Sequence, residues 1–185
     1  MFETPLPEPV RVLVSAGSRH GSTMEIARRI GDVLTGCGLD VLVQEPQHVL
    51  DLSEIDVVVL GSAVYAGHWV REAKEVADLI GAESPKPLVW LFSSGPIGQP
   101  AKPEEDPVDV SDIREITEAR EHRIFSGKID KSKLGFGERA ILIAVKAPEG
   151  DFRDWDDIEN WAKKIADHLV PASVAPNFGE ARERH

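Results

Sequence analysis

The segment Gly17-Ser18-Arg19-His20-Gly21-Ser22-Thr23 gathers two glycines, three hydroxyl side chains, an arginine and a histidine, with no carboxylate among them. Glycines let backbone N–H groups close on a small anion, and a helix starting behind them adds its free N–H groups and its dipole. The spacing predicts a cradle for a phosphate group, with Ser18, Arg19, His20, Gly21, Ser22 and Thr23 as its contacts. A strand-to-helix turn with a serine cap uses the same residue types, so the loop alone leaves that alternative open. Two other stretches are as rich in small and hydroxyl residues. Gly61-Ser62-Ala63-Val64-Tyr65-Ala66-Gly67-His68-Trp69 joins pliable backbone to two flat side chains, Tyr65 and Trp69, which suit stacking on a planar ligand. Trp69 equally suits the first position of a buried helical stripe. Ser93-Ser94-Gly95-Pro96-Ile97 offers backbone donors and acceptors for the edge of a ring, or a turn into a Pro-rich loop.

These stretches need elements to bring them together. Val10–Ser15 reads as a first strand, Val41–Val43 as a second and Asp56–Gly61 as a third, apolar on both faces as central parallel strands are. Pro87–Ser93 reads as a fourth and Arg123–Ser126 as a fifth. Between them run helical patterns. Met24, Ala27, Ile30, Val33, Leu34 and Cys37 form one stripe, opened by a Ser22/Glu25 capping box and closed by Gly38. Trp69, Ala73, Val76, Ala77 and Ile80 form another. Ser111–Glu121 predicts a helix with Ile113 and Ile116 inward, and at most one helical turn is expected near 51–55. A last helix begins near Asp154, with Ile158, Trp161, Ala162, Ile165, Ala166 and Leu169 as its stripe. Alternating strands and helices predict an α/β fold, a parallel sheet with helices on both faces. Ligands in such sheets sit beyond the carboxyl ends of the strands, where the winding reverses. All three loops leave that edge.

Composition narrows the partners. The chain has 185 residues, 42% hydrophobic and 29% charged, which suits one globular domain with a substantial core. A net charge of −11 argues against nucleic acid as a partner. Cys37 is the single cysteine, so neither an internal disulfide nor a cysteine-based metal site is expected, and no metal is assigned. With no apolar run of spanning length and no leader pattern at the N-terminus, the expected location is cytoplasmic, with peripheral membrane contact open. Residues 1–9 read as a flexible lead, 10–170 as the domain and 171–185 as a mobile tail.

Other phosphate chemistries fail on particular residues. A nucleotide-hydrolase loop needs Gly-Lys-Ser/Thr, and here the helix starts Gly21-Ser22-Thr23. A dinucleotide fingerprint needs a third glycine, and Glu45 alone is a weak imitation of its ribose-binding acid. A receiver domain needs acids where Ser15-Ala16 and Gly61-Ser62 stand, and a cysteine phosphatase needs its cysteine in the loop, far from Cys37.

The loop Gly17–Thr23 resembles the flavodoxin phosphate signature Ser/Thr-x-Thr-Gly-x-Thr, with His20 where a threonine is usual. The resemblance spans roughly 10–170. It implies a flavodoxin-like three-layer sandwich of five parallel strands in the order 2-1-3-4-5. It also implies a noncovalent FMN held by the loop, by Ala63, Val64, Tyr65, Ala66, Gly67 and Trp69, and by Ser93, Ser94, Gly95, Pro96 and Ile97. Within that family the chain is similar to the menaquinone-dependent protoporphyrinogen oxidase type. The similarity rests on Gly61–His68, on Phe125-Ser126-Gly127-Lys128-Ile129-Asp130 and on an insert near 128–153 before a helix opening Asp154-Trp155. That subgroup implies two-electron oxidation of a tetrapyrrole precursor coupled to a quinone. The alternatives are a one-electron carrier docking on a redox partner protein and a module that has lost its flavin. His68 is the one weak candidate for an acid or base, beside its alternative as a solvated helix-start residue. His48, His122, His168 and His185 read as surface.

The insert adds a charge signal. From 123 to 146 the basic residues Arg123, Lys128, Lys131, Lys133, Arg139 and Lys146 face only Asp130 and Glu138. This predicts a basic, partly apolar patch beside the flavin for an anionic membrane surface or substrate. The run 140–145 is too short to span a bilayer, and periodicity leaves helix and strand open. The family resemblance favours a helix over the carboxyl edge of the sheet.

Overall fold

A computed structural model describes residues 9–95, 106–144 and 149–170. Residues 1–8 of the expected 1–9 lead, the tail over 171–185, and Pro96 and Ile97 lie outside the described residues. Strand β1 is Arg11–Gly17, β2 Asp40–Gln44, β3 Val57–Tyr65, β5 Leu88–Ser94 and β6 Glu121–Phe125. They form one parallel sheet in the order β2-β1-β3-β5-β6. A short strand β4, His68–Trp69, folds back antiparallel on β3. Counting only the parallel strands, this is the expected 2-1-3-4-5 order, with the winding reversed next to β1.

Alternation along each strand divides the core. Val12, Val14 and Ala16 face one side with Val57, Val59, Trp90 and Phe92. There they are covered by α1 (Ser22–Gly36) and by a C-terminal helix, α5 (Trp155–Leu169). Leu13, Val58, Leu60, Val89 and Leu91 face the other side, beneath α2 (Arg71–Ala82) and α3 (Val110–Thr117). Each fully buried side chain of this kind contributes roughly 1.5–3 kcal/mol. Gly31 lets α1 lie close on β2, since a Cβ there would stand 2.5 Å from Val43 Cγ2. The α5 stripe matches the expectation, with Asp154 accepting from the Asp157 amide as the N-cap.

Several expectations shift. Residues 51–55 hold one turn, closed by the Ile55 amide on the Leu52 carbonyl at 3.0 Å and within the expected limit, and a 3₁₀ turn forms earlier, over Pro46–His48, where the proline presets φ. Cys37 caps α1 and is exposed rather than in its stripe. The third helix spans Val110–Thr117, and Glu118 and the residues after it lead into β6. Its buried face is Val110, Ile113 and Thr117, a 3.6-residue period that turns Ile116 outward, 38% exposed.

The insert folds as a ribbon and a helix. Strands β7 (Lys128–Ile129) and β8 (Gly150–Asp151) pair antiparallel, and between them lies α4, Phe136–Ala144. The apolar run open to either assignment is therefore helical where it is described. Among the described residues no helix is long and apolar enough to cross a membrane.

Candidate functional site

The first loop is built around one oxygen. Ser18 Oγ accepts from the Gly21 amide at 3.0 Å and the Thr23 amide at 3.3 Å. Gly21 makes this possible with φ +87°, left-handed backbone that an L-residue adopts at a cost. The α1 N-cap is Gly21, with no side-chain cap bond. The expected Ser22/Glu25 capping box is therefore absent, because Ser18 reaches forward to the amides and Glu25 is engaged by Arg153 at 2.7 Å. Amides converging on a single oxygen are the donor set a phosphate oxygen requires. Gly17 has no room for a side chain: a Cβ would stand 2.2 Å from Val70 Cγ2. Beside the loop opens a cleft of about 620 Å³, lined by Gly17, Ser18, Arg19 and Gly21, by Glu45 and Gln47, and by Arg71 and Glu72.

The second loop is mostly a hairpin. Strand β3 does not stop at Gly61 but runs to Tyr65, turns through Ala66 and Gly67, and returns as β4. Both turn residues have positive φ, +49° and +80°, the handedness that matches strand twist in a two-residue hairpin. Val64 pairs with Trp69 and Tyr65 with His68. This corrects the placement of Trp69 on the helix, which starts at Arg71. Trp69 is 2% exposed and its Nε1 donates to Ser93 Oγ at 2.8 Å. It supports the hairpin from beneath and is not an open stacking platform. Tyr65 is half-buried and meets the first loop: the Arg19 guanidinium lies 4.4 Å from its ring centroid and the His20 ring edge-on at 6.4 Å.

The third loop closes the same edge. Ser93 and Ser94 are buried, and the Gly95 amide donates to the Phe125 carbonyl at 3.1 Å. Gly127 packs closely against it: a Cβ would stand a tight 3.2 Å from Gly95 Cα. The described parts of all three loops thus sit at the carboxyl edge of β1, β3 and β5.

Residues the sequence did not single out hold the hairpin in place. Asp109 accepts from the Trp69 amide at 2.9 Å, pairs with His68 Nδ1 at 3.2 Å and lies 3.7 Å from Lys74 Nζ. The Val108 amide donates to the Gly67 carbonyl at 2.9 Å. Burial alone would raise the Asp109 carboxyl, but the Trp69 amide, His68 and Lys74 outweigh it and hold the carboxyl below the ordinary aspartate range. His68, with its side chain half exposed, is thus engaged by a carboxylate on the outer side of the hairpin. His122 is not a surface residue: its side chain is 2% exposed and it joins Ser93 Oγ at 2.8 Å to Asp106 at 2.9 Å. No sequence signal marks it, since the strand that carries it, opposite Leu91, begins two residues before the expected Arg123.

Residues 13–156 match the model of the flavodoxin domain family. No curated protein matches the chain. Among solved structures, a flavodoxin from the domain Archaea superposes with a TM-score of 0.60 at 16% identity, covering 86% of this chain and 99% of that one. A Streptococcus pneumonia TIGR4 flavodoxin gives 0.59 at 18% identity over 86% and 100%. The rubredoxin oxygen:oxidoreductase of Desulfovibrio gigas gives 0.58 at 13% identity, covering 87% of this chain and 36% of that one. At these identities the likeness is one of fold, and it is the family match over most of the sequence that makes the assignment: the chain belongs to the flavodoxin domain family.

Proposed function

We propose that the chain binds one FMN noncovalently and serves electron transfer. The observation carrying this reading is the pair of Gly21 and Thr23 amides turned onto one oxygen at the start of α1, next to a hairpin bearing Tyr65. In it, Gly17–Thr23 take the phosphate, while Ala63–Gly67 and Ser93–Gly95 (with Pro96 and Ile97 beyond) border the ring. FMN, when bound, supplies the hydride and electron chemistry; the protein supplies orientation and polarity at the ring edge. Arg19 adds positive charge near the anion. Trp69 and Asp109 fix the hairpin.

The test is a fluorescence titration of the chain with FMN and with riboflavin. FMN is expected to bind more tightly, because only it carries the phosphate. Gly21→Ala is expected to weaken FMN by roughly 1–2 kcal/mol, about 5- to 30-fold, and to leave riboflavin unchanged. A Cβ at Gly21 meets nothing within 4 Å, so the effect reports backbone conformation and not a clash. Equal affinity for the two flavins, or none for either, removes the reading.

In its finer form the protein is an enzyme oxidising a protoporphyrinogen-type tetrapyrrole precursor with a quinone as acceptor. The support is the resemblance in Gly61–His68 and Phe125–Asp130 together with the helix-bearing insert. The alternative, a carrier docking on a redox partner protein, is supported by the similar flavodoxin structures. Turnover of a porphyrinogen with a quinone separates them. The insert also favours peripheral contact with an anionic membrane. Phe136 is 94% exposed and Ile143 72%, seven residues apart on one face of α4, in an insert whose sequence also holds Lys128, Lys133 and Arg139. Co-sedimentation is expected with anionic but not neutral liposomes, weakened by salt and abolished by Phe136→Asp. Equal, negligible recovery with both kinds of vesicle removes the membrane contact.

A further inference from the structure

Beneath the hairpin runs a chain of four side chains from three strands and a loop. The Trp69 indole donates to Ser93 Oγ at 2.8 Å, Ser93 Oγ lies 2.8 Å from His122 Nε2, and His122 Nδ1 lies 2.9 Å from Asp106 Oδ1. The donors sort themselves. An indole N–H can only donate, so Ser93 receives at its oxygen and its own proton is available to His122. The Asp106 carboxylate can only accept, so Nδ1 carries the hydrogen, and in the neutral ring Nε2 is the bare acceptor facing Ser93. The arrangement fixes one neutral tautomer of His122. The contacts are those of a Ser-His-Asp triad, but Ser93 is fully buried with an indole on its oxygen, so no substrate carbonyl can reach it.

We propose that His122 is a positioning residue for the Val64–Trp69 hairpin, holding it through Ser93 and Trp69 while neutral and releasing it on taking a proton. A proton on Nε2 turns that atom into a donor. Ser93 Oγ then faces two donors, and its own hydrogen loses its acceptor in a position closed to water. Ser93 Oγ has lone pairs for both donors, so the cost is its own stranded hydrogen; it falls on the contact shared with the Trp69 indole, and Trp69 makes one of the two pairs of the hairpin. A recess of about 390 Å³ lined by Asp106, Pro107, Val108, Ser111 and Arg114 opens at the Asp106 end of the chain, on the Nδ1 side of the ring. The charged groups facing the imidazole are Asp106 in the segment before α3, Arg114 on α3 and Glu121 on its own strand. Burial opposes the charged form most; Asp106 and Glu121 favour it, Arg114 opposes it, and the balance lies below the ordinary histidine value. The sign follows: as pH falls below the unfolded value near 6.5, the unfolded chain takes up a proton that the folded chain resists, and the latch is lost as pH continues down through the folded value.

That the hairpin borders the ring rests on the FMN reading; the latch itself does not, and it is tested without flavin. In the full chain labelled at tryptophan with ¹⁵N, the indole N–H signals are followed from pH 8 to 5, with Trp69 assigned by its disappearance in Trp69→Phe. The Trp69 signal and the Val64–Gly67 amides are expected to move in one step sharing the midpoint of the His122 ring, while the Trp161 signal stays still. His122→Gln should abolish the step. Asp106→Asn, which keeps the histidine, should move the midpoint to lower pH because it removes the charge that favours the cation. A Trp69 signal that is flat in the native chain, a step that survives in His122→Gln, or a midpoint unmoved in Asp106→Asn overturns the proposal. Failure of FMN to bind would leave this readout intact, so the two readings fall separately.

Discussion

Arg153→Met is expected to cost about 2–3 kcal/mol of stability and to loosen the Gly17–Thr23 loop at the same time. The Arg153 side chain is 3% exposed, yet each of its three nitrogens is engaged. Its Nε and one terminal nitrogen grip Asp151 at 2.8 and 2.6 Å, and its other terminal nitrogen reaches Glu25 at 2.7 Å and the Ser22 carbonyl at 3.1 Å. The guanidinium also lies 4.5 Å from the Trp155 ring centroid. One side chain thereby ties the end of the insert and the start of α5 to the first turn of α1. Removing one partner of a fully buried ion pair costs 3–5 kcal/mol. Here Asp151 and Glu25 are both more than a third exposed and water can reach them afterwards, which lowers the figure. The forked hydrogen bonds from Arg153 hold the Asp151 carboxyl below its ordinary value near 3.8. A depressed carboxyl stabilises the fold above its unfolded value and loses that contribution as pH falls through the folded one. Urea melts of native and variant chains at pH 7 and pH 3 should therefore differ less at the lower pH. An unchanged midpoint at pH 7 would show that the tie is not structural.

The second large effect is expected at Gly61. A Cβ there would stand 2.1 Å from Phe92 Cζ and 2.4 Å from both Cε atoms. The ring has nowhere to go: Phe92 is fully buried, with the Phe125 ring centroid at 5.9 Å and Trp161 at 6.2 Å. Gly61→Ala is expected to cost about 3 kcal/mol, at the upper end for one added carbon in a packed core. The clash is specific, so shrinking the ring should relieve it. Gly61→Ala with Phe92→Leu should be more stable than the sum of the two single effects by at least about 1 kcal/mol. Strict additivity in denaturant melts would rule out the clash. The glycine that opens the second loop is thus there for packing between β3 and β5.

The parts of this fold carried by period are legible in the sequence. Val12, Val14 and Ala16 alternate against Leu13, and Ile158, Trp161, Ala162 and Ile165 recur at helical spacing, so the elements and layers follow from residues alone, while the strand order comes from the family resemblance. The first loop is legible because its donors are contiguous. The hairpin was readable in principle: after β3, Val64-Tyr65-Ala66-Gly67-His68-Trp69 is a two-residue turn between two pairs, hidden because Trp69 also fits the period of the helix behind it. The supports were not readable. Asp109 meets Trp69 across 40 residues and Arg153 meets Glu25 across 128. His122 is buried only because Ser93 and Asp106 are brought to its two nitrogens. Such contacts leave no local spacing, since each partner is set by how the strands stack and not by its neighbours in the chain.

The ribbon of β7 and β8 sets Lys128 opposite Asp151 and Ile129 opposite Gly150, and the Phe152 amide adds a bond to the Gly127 carbonyl at 3.1 Å. The segment between them leaves the body of the protein and rejoins it at the same place. Closing a longer excursion costs little more than closing a short one, about 0.6 kcal/mol for each doubling of length. A change in the length or content of that segment is therefore expected to cost little and to leave the sheet and the Gly17–Thr23 loop unaltered.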